Sequence, residues 1–124
     1  MADPKKVLII DDDPAICDSV RAVLETVGFH VDTAYSGKDG VAAFRRIKPD
    51  VVLCDMMMED LDAGAQAAKI MRKERPEVPI FLLSSIGDAT AENVGFGNLG
   101  FSGIFQKPVN FDLLLAVMGR IAKG

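Results

Sequence analysis

The chain has 124 residues, 49% of them hydrophobic and 26% charged, with a formal net charge of -4. That length fits one domain with enough apolar material for a core, and the acidic balance argues against direct contact with nucleic acid, because such binders carry a basic surplus. No apolar run approaches membrane-spanning length and "MADPKK" lacks the apolar stretch of a signal peptide, so a cytoplasmic protein that meets no membrane is expected.

Short apolar runs alternate with segments of helical period. Val7 to Ile10 is a continuous apolar run, as expected of a parallel strand covered on both faces. Pro14 suits a first helical turn, and Ile16, Val20, Val23, Leu24 and Val27 form an apolar stripe that Gly28 ends. Its opposite, exposed face is expected to include Ala15, Asp18, Ser19 and Ala22. Phe29 to Ala34 reads as a second strand. Ser36, with Asp39 three residues on, resembles a capping box opening a second helix buried through Val41, Phe44 and Ile47 and ended by Pro49. Asp50 to Asp55, "DVVLCD", is the third strand. A helix over 63–75 is expected to bury Ala67, Ile70 and Met71, and Ile80 to Leu83 forms the fourth strand. A short helix is expected around Ala91 to Leu99, in a stretch where Gly95, Gly97 and Gly100 each weaken a helix by about 1 kcal/mol relative to alanine. Gly103 to Gln106 is the fifth strand, and Asn110 caps a last helix burying Leu113, Leu114, Val117 and Ile121.

Five strands alternating with five helices imply an α/β fold, a parallel sheet with helices on both faces. Ligands in such sheets bind beyond the carboxyl ends of the strands. The residues at those ends are Asp11, Asp12 and Asp13, then Asp55, Ser84, Ser85 and Lys107. Three adjacent aspartates repel one another, and burial makes the repulsion worse. A hard divalent cation such as Mg²⁺, which wants oxygen ligands, makes the cluster favourable. A carboxylate beside such a cation is a nucleophile towards phosphorus, and a lysine and a hydroxyl can stabilise phosphoryl charge. The competing, bland reading is that acidic loop residues are solvated surface.

The stretches "VLIIDDDPAICDSVRAVLETVGF", "DVVLCD", "PIFLLSS" and "QKP" together resemble the receiver domain of two-component response regulators, over nearly the whole chain. The resemblance implies a flavodoxin-like, doubly wound sheet of order 2-1-3-4-5 in one receiver domain over residues 1–124; no output domain is expected within these residues, and the domain either acts alone by binding partners or is part of a longer protein. It implies that Asp55 is the phosphoacceptor, charged by a sensor histidine kinase or a histidine phosphotransfer protein. Asp11 and Asp12 then form the acidic pair, with Asp12 the direct Mg²⁺ ligand, and Met57 offers only its backbone carbonyl to the metal. Ser84 takes the position of the hydroxyl that hydrogen-bonds the phosphoryl group. Lys107 takes that of the lysine that pairs with it, and its bond to Pro108 is often cis in relatives. Such a domain signals to a downstream protein partner; it is not an enzyme, though it assists its own phosphotransfer and dephosphorylation. Asp13 has none of these roles and reads as a helix cap.

Several positions depart from the family pattern. Glu59 and Ala63 stand in the loop after Asp55 where relatives have proline and glycine, and Ile104 stands where they have a switch aromatic. Met57 and Ile86 are apolar at two positions that influence the hydrolytic water in relatives, so slow self-dephosphorylation is expected. The segment between Ile86 and Gly103 is expected to carry the response to phosphorylation. Two rival functions are a phosphorylation-independent pseudo-receiver and a haloacid-dehalogenase-type phosphatase. The second meets its Asp-x-Asp only superficially, through Asp11 and Asp13, with Pro14 where a small or β-branched residue belongs. His30 reads as a surface or edge residue, Cys17 and Cys54 as buried reduced thiols. Met56, Met57 and Met58 read as packing beneath their own loop, and 45–49, "RRIKP", as a solvated helix end.

Overall fold

The computed structural model describes residues 5–55, 63–85 and 102–123. In chain order these form β1 (Lys6–Ile10), α1 (Pro14–Thr26), β2 (His30–Ala34), α2 (Gly37–Ile47), β3 (Val51–Asp55), α3 (Ala63–Glu74), β4 (Ile80–Ser85), β5 (Gly103–Lys107) and α4 (Phe111–Lys123). The helix expected around Ala91 to Leu99, the methionine run and Glu59 lie outside the described residues.

All five strands pair in parallel in the order β2-β1-β3-β4-β5, as expected. Alternation along each strand divides the core in two. Val7, Ile9, Val51 and Leu53 face one side with Cys17, Val20 and Leu24 of α1 and Leu114 and Met118 of α4. Leu8, Ile10, Val52, Cys54, Ile80 and Leu82 face the other with Phe44 of α2 and Met71 of α3. Strands covered on both faces need apolar residues at every position, which is why these runs show no polar alternation.

Three capping side chains set where helices begin. The Asp13 carboxylate accepts from the Ala15 N–H at 2.9 Å, the Ser36 hydroxyl from the Asp39 N–H at 3.0 Å, and the Asn110 side chain from the Leu113 N–H at 3.1 Å. Each satisfies an orphan donor of a first turn. Gly28, at φ +95°, reverses the chain after α1.

The helical stripes differ from expectation by one position in two places. α3 buries Ala67, Ala68 and Met71 and exposes Ile70; α4 buries Leu114 and Met118 and exposes Leu113. Val27 is also exposed. At 3.6 residues per turn the residues flanking a stripe are nearly equivalent by period, and the packing partner chooses between them.

α2 approaches the sheet closely at one point. A Cβ on Gly40 would stand 2.5 Å from Ile10 Cδ1 and 2.9 Å from both its γ carbons. Overpacking costs about 1–3 kcal/mol, whereas alanine gains about 1 kcal/mol of helix propensity over glycine. Gly40→Ala is therefore expected to lower stability by about 1 kcal/mol in urea unfolding. A stabilised variant would mean that α2 can lift from β1 at no cost.

Candidate functional site

The parallel register brings the site together. Ile10 pairs with Cys54, so Asp11 and Asp55, one step further along β1 and β3, emerge side by side where the strand order reverses. Among the described residues the buried polar or charged ones are Asp11 (0% exposed), Asp55 (5%) and Ser84 (2%). All three lie on the carboxyl edge of the sheet, where residues of this chemistry were expected. Asp55 and Ser84 are the last and last-but-one residues of their strands, and Lys107 ends β5, opposite Ser85 in register.

Lys107 reaches across the edge into the acidic group. Its Nζ lies 2.8 Å from Asp11 Oδ2 and 3.3 Å from Asp55 Oδ1. Burial disfavours the ammonium, but hydrogen bonding and charge from Asp11, with Asp55 behind it, outweigh that and raise the Lys107 pKa above the ordinary lysine value. The peptide bond between Lys107 and Pro108 is cis, as the resemblance implies.

Asp11 is held at its N–H, its carbonyl and one carboxylate oxygen. Its N–H donates to Ala34 O at 3.0 Å, its carbonyl accepts from the Cys17 thiol at 3.4 Å, and its Oδ1 accepts from the Asp13 N–H at 2.9 Å. The Cys17 contact and the Asp13 backbone contact had no signal in the sequence. Burial, and next the carboxylates of Asp11, Asp18 and Asp13, push the Cys17 thiol up to about 12, so it stays protonated. Cys54 is equally buried, and the two cysteines are not joined in a disulfide.

Asp12, next in the chain, is exposed. Carboxylate oxygens of Asp11, Asp12 and Asp55 all lie within 4.8 Å of one another. Three carboxylates face one ammonium, and the remaining negative charge is set on an all-oxygen donor group, two of whose members are withdrawn from water. That donor set fits a hard divalent cation. Met57, expected to add a backbone carbonyl, and Ile86 lie outside the described residues, and Asp13 stands apart from the group as a cap.

Other expectations can be placed. His30 is exposed on the edge strand β2, with Nε2 3.2 Å from Asp32 Oδ2, on a strand whose other end meets the site. Ile104 pairs with Leu82 and packs against the core beneath α2 and α3. Phe105, its neighbour, is buried on the other face with its ring centroid 5.5 Å from that of Phe81. No helix among the described residues is long and apolar enough to cross a membrane.

The family model of the response regulator receiver domain matches residues 7–118. The chain belongs to that family. Among related receiver-containing proteins, the DNA-binding dual master transcriptional regulator RpaA of Synechocystis is 33% identical over 112 residues, covering 90% of this chain and 46% of that protein. The response regulator MprA of Mycolicibacterium vanbaalenii is 31% identical over 120 residues, covering 97% of this chain and 51% of its own length. The chain thus spans about half the length of these relatives. The crystal structure of the receiver domain of NtrX from Brucella abortus aligns with a TM-score of 0.83 at 27% identity, covering 94% of this chain and 98% of that one. A CheY-like receiver domain from Methanospirillum hungatei aligns with a TM-score of 0.80 at 27% identity, covering 97% and 95%. This receiver domain therefore shares both sequence and fold with response regulators of two-component systems.

Proposed function

We propose that this receiver domain, read as one unit over residues 1–124, is a switch thrown by phosphorylation of Asp55. The observation that carries the proposal is the Lys107 ammonium set between the buried carboxylates of Asp11 and Asp55, with an oxygen of the exposed Asp12 close by. An Asp55 oxygen bonds to phosphorus as the phosphorus–nitrogen bond of a donor phosphohistidine breaks; the electron pair stays on the imidazole nitrogen, which takes up a proton. Lys107 is positioned to balance charge on the transferred group, and the buried Ser84 hydroxyl to hydrogen-bond one of its oxygens. Asp11, Asp12, Asp55 and the Met57 carbonyl would hold Mg²⁺, which supplies charge neutralisation at the phosphoryl oxygens when bound. The domain acts as a phosphoacceptor and not as an enzyme on a separate substrate; it assists its own phosphorylation and dephosphorylation.

The donor is a sensor histidine kinase or histidine phosphotransfer protein, and the output a downstream protein partner, in the cytoplasm, without a membrane or direct nucleic-acid contact of its own. Ala15, Asp18, Ser19 and Ala22 of α1 are exposed beside a groove lined by Ile16, Val109 and Phe111. The donor helices are placed there. Changing Ala15, Asp18 and Ala22 together is expected to impair transfer from the cognate donor while sparing labelling by acetyl phosphate; equal transfer would put docking elsewhere.

The deciding experiment is incubation with acetyl phosphate and Mg²⁺, followed by intact mass. One phosphoryl adduct is expected, absent in Asp55→Asn. An unlabelled wild type would favour the pseudo-receiver, and steady turnover of phosphate esters lost in Asp11→Asn would favour the phosphatase.

A further inference from the structure

The short connection from β1 to α1 contains a relay that ends on Asp11. Pro14 at the first helical position has no N–H, so the Ala15 N–H is the first orphan donor of α1. The Asp13 carboxylate accepts it at 2.9 Å. That bond holds Asp13 in an extended conformation (φ -96°, ψ 106°), and its carbonyl accepts from the Cys17 N–H at 3.2 Å. With Asp13 fixed from both sides, its own N–H is aimed back at Asp11 Oδ1 at 2.9 Å. The other Asp11 oxygen, Oδ2, is then presented to Lys107 at 2.8 Å.

We infer that Asp13 is a positioning residue for the acidic site: its side chain sets the Asp11 carboxylate through the Asp13 backbone and takes no part in holding the metal itself. Two observations separate this role from that of a further metal ligand. Asp13 lies outside the group of carboxylates whose oxygens converge within 4.8 Å, which among the described residues is Asp11, Asp12 and Asp55. Its Oδ1 is already engaged by the Ala15 N–H. A carboxylate held in one rotamer is pre-organised for the cation, whereas one released from its donor must be ordered on binding. Hydrogen-bond partners behind a metal ligand commonly change metal affinity by 10–100-fold when removed.

The inference rests on the reading of Asp11, Asp12 and Asp55 as a Mg²⁺ site. Its test is isothermal titration of Mg²⁺ into the unphosphorylated protein, with wild type, Asp13→Ala, Asp13→Asn and Ser36→Ala compared, and with urea unfolding of each. Asparagine keeps the capping oxygen and removes the charge. The expected result is a Mg²⁺ affinity about tenfold lower in Asp13→Ala and within about twofold of wild type in Asp13→Asn. Ser36→Ala, which removes the cap of a different helix, should lose similar stability and keep wild-type affinity. Unchanged affinity in Asp13→Ala, with wild type binding Mg²⁺, would overturn the positioning role alone. An equal loss in Asp13→Asn would overturn it in favour of a charge or ligand role, and an equal loss in Ser36→Ala would reduce it to helix stability. A wild type that binds no Mg²⁺ would overturn the metal reading and this inference with it. Adduct formation at Asp55, measured separately, reports on the phosphoacceptor reading alone.

Discussion

Lys107→Met is expected to destabilise the domain by about 2–4 kcal/mol at neutral pH. The substitution keeps much of the aliphatic stem and removes only the ammonium that lies 2.8 Å from Asp11 Oδ2 and 3.3 Å from Asp55 Oδ1. Two buried carboxylates then face each other without a counter-charge. Removing one partner of a fully buried pair costs about 3–5 kcal/mol, and the figure here is lowered because the Lys107 side chain is 14% exposed and water can partly replace it. The pH dependence has a definite sign. The folded Lys107 pKa is raised, so its contribution is complete below the ordinary value of 10.5 and is lost as pH rises through the folded value. The gap between wild type and variant should therefore be constant through neutral pH and close only in strong alkali. Urea unfolding across that range measures it. The double variant Asp11→Asn/Lys107→Met should recover part of the loss, since it removes a carboxylate together with its cation. A cost below about 1 kcal/mol for the single variant would show that the pocket is hydrated enough to need no ammonium.

The phosphorylated state is expected to be long-lived, and Met57→Asn/Ile86→Glu to decay about 10- to 100-fold faster than wild type. Hydrolysis of an aspartyl phosphate needs a water lined up behind phosphorus. At two positions that influence this water in relatives, the chain carries Met57 and Ile86. Isoleucine has no acceptor and methionine only a weak thioether, so neither orients water well. One positioned hydrogen-bonding group is worth roughly a factor of 10–100 in rate, about 1.4–2.7 kcal/mol of barrier. Decay of labelled protein after removal of acetyl phosphate tests the expectation. Loss of the label within seconds in wild type, or no acceleration in the double variant, would sink it.

Much of the site was legible because its residues sit at strand ends. A doubly covered strand needs an unbroken apolar run, and the first polar residue after such a run marks the carboxyl edge, so Asp11, Asp55 and Ser84 could be collected from the sequence, with Lys107 just past the fifth strand, one residue beyond Gln106. The caps were legible for a related reason. Asp13, Ser36 and Asn110 act on N–H groups two or three residues away, within reach of local pattern. The buried faces of α3 and α4 were less so. Ile70 and Ala68, like Leu113 and Met118, flank the apolar stripe of their helix on opposite sides, and period alone does not choose between them.

By itself, then, the sequence determined the alternation of strands and helices, the sheet edge on which the carboxylates gather, and the family to which the chain belongs. Those properties follow from periodicity and from residue types at short spacing. Tertiary structure alone decided that Lys107 lies nearer Asp11 than Asp55, and that Asp13 turns its N–H back to Asp11. It also decided that α2 can rest on Ile10 only because residue 40 has no side chain. Each is a matter of tenths of an ångström between groups brought together by strand register and helix packing, and side-chain direction at that scale is set by the neighbours a residue meets once the sheet has closed.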